Sequence, residues 1–169
     1  MSFKEQLIQE MQNEAKSTEA MLSRIPEDKF QWQPHEKSMT LQNLATHITN
    51  LAGMNGTIAK TQYLDFAEQK SAPKVFQTTQ ELVDAFKQNS QASIEAVQNM
   101  SDQEFEQQWS MRAGAHPIMD ATKGECMRKM GMNHLYHHRA QLGVYLRMLN
   151  VPIPGMYGPS ADDRAAQAK

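Results

Sequence analysis

Apolar residues recur at intervals of three and four along most of this chain, the spacing of one face of an α-helix. Phe3, Leu7, Met11, Ala15, Thr18, Leu22 and Ile25 form the first such stripe. Ser2-Phe3-Lys4-Glu5 opens it as a capping box. Pro26 ends it, because proline brings no amide hydrogen and disfavours helix in the residue before it. The predicted helix is 2–25. A loop follows from Glu27 to Ser38, with Trp32 and Pro34. The second stripe, Leu44, His47, Leu51, Met54 and Ile58, predicts a helix over 40–62. Thr40 is placed as its N-cap, and Met39 with Leu44 as a hydrophobic staple. Gly53 and Gly56 weaken this helix intrinsically, so it depends on tertiary packing or admits a close neighbour.

A polar connector at Ser71-Ala72-Pro73-Lys74 leads to a second capping box, Thr78-Thr79-Gln80-Glu81. Leu82, Phe86, Ile94 and Val97 mark a third helix over 78–99, with Ser90 and Ser93 diluting its stripe. Ser101-Asp102-Gln103-Glu104 caps a short turn. The stretch Trp109 to Ala121, with Gly114 and His116-Pro117, reads as loop. Thr122-Lys123-Gly124-Glu125 caps the last helix, 122–149. Its inner face carries Met127, Met130, His134, His138, Leu142, Tyr145 and Leu149. Pro152, Pro154, Gly155, Gly158 and Pro159 predict an extended tail. No alternating strand pattern of useful length is evident. The expectation is one all-α domain over 1–169, a four-helix bundle without a sheet of three or more strands.

Composition narrows the function. At 169 residues the chain can bury a sizeable core as one domain. A net charge of −2 provides no basic field for nucleic acid. No segment approaches the roughly 20 apolar residues of a membrane span, and Met1-Ser2-Phe3-Lys4-Glu5-Gln6 has no signal-peptide core. The single cysteine, Cys126, excludes an internal disulfide framework and is compatible with a reducing, cytoplasmic setting. Thirteen methionines fit an adaptable core, with an apolar pocket as the alternative.

The chemistry lies in the histidines. His134 and His138 share a helical face at i and i+4, with Cβ atoms roughly 6 Å apart. His47, between Leu44 and Leu51 in its stripe, also points inward. An unpaired imidazole inside a protein costs free energy, and one inward histidine is ordinarily satisfied by hydrogen bonding. Three, on two helices of one small bundle, point to a shared metal with open positions. Gln141, two turns after His134, is placed to hydrogen-bond a ligand histidine or a bound water. His137 lies about 80° around the helix from the His134/His138 face, so it flanks the site. His35 and His116 fall in predicted loops and are expected to be exposed. Leu135 stands where a zinc-protease HExxH motif needs its glutamate.

The segment Leu44-Ala45-Thr46-His47-Ile48, followed by His134-x-x-x-His138-Arg139-x-Gln141, resembles the DinB family, the superfamily of DNA-damage-inducible-like proteins and low-molecular-weight-thiol S-transferases. Ile25-Pro26-Glu27-Asp28, Trp32-Gln33-Pro34 and the tail from Val151-Pro152 through Tyr157-Gly158-Pro159-Ser160-Ala161-Asp162 are similar to it as well. The resemblance spans nearly the whole chain. It implies an up-down-down-up four-helix bundle, a divalent metal such as nickel or zinc on His47, His134 and His138, and a homodimer. It also implies transfer of a thiol of the bacillithiol, mycothiol or glutathione type onto a small electrophile.

Such a reaction needs no protein nucleophile. A metal with vacant positions holds a bound thiol as thiolate, in a pocket expected to include Met54, Trp109 and Tyr145. Cys126 lies near a helix start, where a thiol pKa can fall, yet two turns before His134; a structural role fits it better. Two alternatives remain. One is a metal-dependent hydrolase of small amides or esters, which lacks a carboxylate base within 133–142. The other is a non-enzymatic, stress-linked metal-binding protein.

Overall fold

The computed structural model describes residues 1–68 and 74–167. The predicted connector at Ser71-Ala72-Pro73 lies outside them. Helix α1 spans Phe3–Leu22, and its Ser2–Glu5 capping box is formed in both directions. It ends three residues before Ile25, which is buried beyond the helix. Helix α2 spans Leu41–Leu51, and Thr40 accepts the amide of Asn43 as its N-cap. Helix α3, Met54–Lys60, is separate from it. The predicted 40–62 helix is therefore broken at Ala52-Gly53.

Ser93 of helix α4, Thr79–Gln98, bridges that break. Its Oγ donates to the Ala52 carbonyl at 2.7 Å and accepts from the Gly56 amide at 3.0 Å. A Cβ on Gly56 would stand 2.9 Å from that oxygen, so the glycine does admit a close neighbour. Thr78 caps α4 through the Glu81 amide, but Glu81 returns its bond to Gln77. The box is therefore displaced by one residue on that side.

The largest departure from the sequence reading is a three-stranded sheet, which overturns a purely all-α fold. Strands β1, Tyr63–Asp65, β2, Gln108–Ala113, and β3, His116–Thr122, lie in that order. The β1–β2 pair is parallel and β2–β3 antiparallel. The supposed loop from Trp109 to Ala121 is mostly this hairpin. Trp109 and Met111 point into the core at alternate positions of β2. Gly114 turns the hairpin with a φ of +59°, a conformation that glycine adopts without strain. Asp65 ties β1 to the turn, accepting from the Gly114 amide and Arg112 Nε, each at 2.8 Å. These bonds, the Gly114 amide foremost, hold its carboxyl below the usual range.

The last long helix is also not uniform. It runs as α5, Lys123–Cys126, then a π-helical stretch, Met127–Asn133, then α6, His134–Met148. Thr122 caps its start through the Glu125 amide, as predicted. A short helix α7, Ala161–Gln167, follows the extended tail.

Helix α1 packs on α4 and α6, and α2 packs on the same two helices. This closes a four-helix ring with the sheet at one end. Two apolar clusters fill it. One is built around Leu44, Ile48, Phe86 and Leu142; the other around Leu7, Ile58, Trp109 and Met127. Among the described residues, no helix is long and apolar enough to cross a membrane.

Candidate metal centre

His47 comes from the middle of α2, held in place by its buried neighbours Leu44, Ile48 and Leu51. His134 and His138 come from the first two turns of α6. The π-helical stretch delivers them: the His134 amide reaches back to the Lys129 and Gly131 carbonyls as that stretch closes. Asn55 of α3 packs against it at Gly131, where a Cβ would lie 1.8 Å from Asn55 Oδ1. A side chain at 131 would therefore collide with the contact that seats α3 on this turn.

The three rings converge. His134 Nε2 lies 3.3 Å from His47 Nε2 and 2.9 Å from His138 Nε2. One ligand atom from each lies within 4.8 Å of the others. Three nitrogens at about 2.0–2.1 Å from a tetrahedral zinc would stand about 3.3 Å apart. The donor set therefore suits a divalent ion of that size, and three ligands leave a position open.

The electrostatics agree. Burial, followed by the neighbouring His138 and His134 rings, lowers the His47 pKa to about 4. Burial also lowers those of His134 and His138. Neutral imidazole is the form that binds metal. Gln141 Oε1 lies 2.8 Å from His138 Nδ1. An amide oxygen only accepts, so in this orientation it keeps the proton on Nδ1 and turns the Nε2 lone pair toward the cluster. Among the described residues, His134 Nδ1 is buried without a hydrogen-bond partner.

The remaining histidines stand apart. His137 is exposed on the flank, its ring 4.8 Å from that of His138, and Gln141 Nε2 lies 3.1 Å from its Nε2. His35 and His116 are exposed, His116 at the start of β3 rather than in a loop.

Beside His47 and His134 opens a cavity of about 640 Å³. Met54 lines it as expected; Trp109 and Tyr145 do not. The Trp109 ring is buried beneath the sheet and donates to Thr61 Oγ1 at 3.0 Å. Tyr145 packs edge-on against Trp32 in the other cluster. The residues that do line it, Leu64, Phe66, Met111 and Ile118, belong to or adjoin the sheet. The sequence reading missed them with the sheet itself. Cys126 is fully buried, and burial raises its thiol pKa, so it is a core residue rather than a nucleophile.

Comparison with known proteins agrees with this architecture. The model of the DinB family matches residues 1–169. YrdA of Bacillus subtilis (strain 168), described as uncharacterized, is 22% identical over 155 residues, covering 90% of this chain and 86% of its own. The crystal structure of a DinB-like protein from Bacillus cereus ATCC 10987 superposes with a TM-score of 0.70 at 19% identity, over 90% of this chain and 97% of that one. A DinB-like protein of B. subtilis, YjoA, gives 0.67 at 16% identity, over 92% and 99%. At these identities the structural likeness concerns the fold.

Proposed function

We propose that this chain, which belongs to the DinB family, is a metal-dependent transferase of a low-molecular-weight thiol. His47, His134 and His138 serve as ligands of one divalent ion, nickel or zinc. The observation that carries this reading is the convergence of three imidazoles beside an open cavity that His47 and His134 line. Among the described residues, neither a carboxylate nor a cysteine lines that cavity. Such a site suits a substrate that brings its own nucleophile. When bound, a divalent ion supplies the positive charge that keeps a thiol deprotonated.

The chain's own residues hold and shield. The three histidines fix the ion, and Gln141 orients His138 from behind. Met54, Met111 and Met130 line the cavity with apolar surface, which limits water at the reacting centre. Transfer forms a bond from the thiol sulfur to the electrophilic carbon. It breaks the bond to the leaving group and releases the thiol proton to solvent. Proximity within the cavity does the rest. A hydrolase reading would need a general base, and none of the described residues lining the cavity is a carboxylate.

The same reading takes the setting as cytoplasmic, the bundle order as up-down-down-up and the protein as a homodimer. Val144, Met148 and Tyr157 are large, exposed and adjoin one groove of about 720 Å³ between α6 and the tail, a surface suited to a two-fold partner. Light scattering at micromolar concentration giving the mass of one 19.2 kDa chain would count against the dimer.

The activity is tested by offering metal-loaded protein bacillithiol, glutathione and mycothiol in turn with a reactive electrophile. His134→Ala should abolish conjugation, whereas Cys126→Ser should retain most of it. Rates equal to the uncatalysed reaction with all three thiols would return the protein to the non-enzymatic reading.

A further inference from the structure

The cavity beside the histidines is two-sided. On the sheet side stand Leu64 of β1, Met111 of β2, Ile118 of β3 and Phe66 just after β1. Met54 and Met130 face them from α3 and the π-helical stretch. The polar lining consists of Asn50, Thr57 and Asn89, all uncharged, and the two histidines. Among the described residues no cation and no anion lines the chamber. A carboxylate entering it would lose water without gaining an ionic partner among the side chains that line it; in the transferase reading the one positive charge there, the ion on the histidines, is taken by the thiol. Lys60 lines a different, adjoining groove of about 360 Å³ that shares Gly53, Thr57 and Asn89 with the chamber.

Phe66 and Ile118 are 44% and 48% exposed. Two large apolar side chains left in water at the rim of a cavity gain burial when an apolar molecule fills it. The chamber's volume of about 640 Å³ falls within the roughly 300–1,000 Å³ of small-molecule sites, which combine apolar walls with a few polar groups.

We infer that this chamber is the acceptor site, and that it selects a neutral, largely apolar small molecule over an anionic one. Ile118 and Phe66 set that selectivity. The assignment of this molecule as the electrophile rests on the transferase reading above; the preference for neutral apolar ligands stands on the chamber itself. The sheet and the helices divide the work: α2 and α6 supply the histidines, and the strands supply the wall against which the acceptor lies. Asn50, Thr57 and Asn89, from the helices, supply its uncharged polar lining.

The full chain without added metal is titrated with N-phenyl-1-naphthylamine, a neutral fluorophore. A second titration uses 8-anilinonaphthalene-1-sulfonate, which carries a sulfonate on the same two ring systems. The neutral probe should bind at least tenfold more tightly. Ile118→Asp and Phe66→Asp, at exposed positions, should each weaken it tenfold or more. Met148→Asp, in the distant groove against the tail, should leave it within twofold. Equal or tighter binding of the sulfonate would overturn the inference. So would neutral-probe affinity that is insensitive to positions 118 and 66. Zinc titration of the same proteins separates the two readings. A chain that takes up neither zinc nor, in a parallel titration, nickel sinks the thiol-transferase reading, while the probe comparison still decides the chamber's selectivity. A chain that takes up zinc but prefers the sulfonate sinks only the latter.

Discussion

Replacing Arg139 with alanine should destabilise the protein by about 3–5 kcal/mol, the range for breaking a buried ion pair from one side. Arg139 sits beside His138 on α6, and its side chain is 3% exposed. Its Nη1 lies 2.6 Å from Glu14 Oε2 of α1, itself 10% exposed. The guanidinium also donates to Thr18 Oγ1 at 3.0 Å and to the Tyr157 hydroxyl at 2.8 Å. Tyr157 in turn donates to Glu14 Oε2 at 3.1 Å. This network ties α1, α6 and the tail together at the residue next to His138. Removing the arginine strands a carboxylate in the interior and takes the donor from two hydroxyls. At about 2–4 °C per kcal/mol for a chain of this size, the melting temperature should drop by roughly 6–20 °C. Removing both charges together, as in Arg139→Met with Glu14→Leu, should recover most of the loss, because no unpaired charge remains. Urea unfolding followed by circular dichroism measures all three proteins. A loss below about 1 kcal/mol for Arg139→Ala, or a double variant no better than the single, would refute the argument.

Three further outcomes follow from the same structure. Gly131→Ala should cost about 1–3 kcal/mol by overpacking against Asn55, and adding Asn55→Ala should recover part of it in a denaturant titration. Burial holds the folded His47 pKa, about 4, below its usual 6.5. The unfolded chain thus binds the proton more readily, so stability is full above about 6.5 and falls as pH drops toward 4; melting curves of metal-free wild type against His47→Asn should diverge in slope within that window, and parallel curves would contradict it. Gln141→Ala should weaken metal binding by on the order of 10–100-fold without removing it, as read by calorimetry; unchanged affinity would deny Gln141 its orienting role.

The helices were legible because their signals are local and redundant. Ser2, Thr40, Thr78 and Thr122 each cap where the sequence places them, and the apolar stripes run between them. The convergence of His47, His134 and His138 was legible for a related reason: i and i+4 on one helix, and an inward position on another, survive small errors in boundaries. Gln141 was legible too, being one turn beyond His138. The sheet was not. Three residues of β1 carry no periodicity. Residues 116–118 of β3 are all exposed, so no apolar alternation betrays that strand. Trp109 and Met111 were the available signal, a short alternation hidden beside Gly114. The π-helical stretch also escaped, because a 3.6-residue period across 122–149 assumes an even helix. Glu14 could have been found: it falls between Met11 and Thr18 on a buried face, where a carboxylate demands a partner. Which partner it takes, 125 residues away, no local pattern specifies.

The central claim is that three histidines hold one metal ion. Isothermal titration of the purified full chain with zinc and with nickel, checked by elemental analysis, addresses it most directly. The account predicts one ion per wild-type chain and loss of stoichiometric binding in His138→Ala, with helix content by circular dichroism largely intact. A folded His138→Ala protein that still carries a full complement of metal would contradict it.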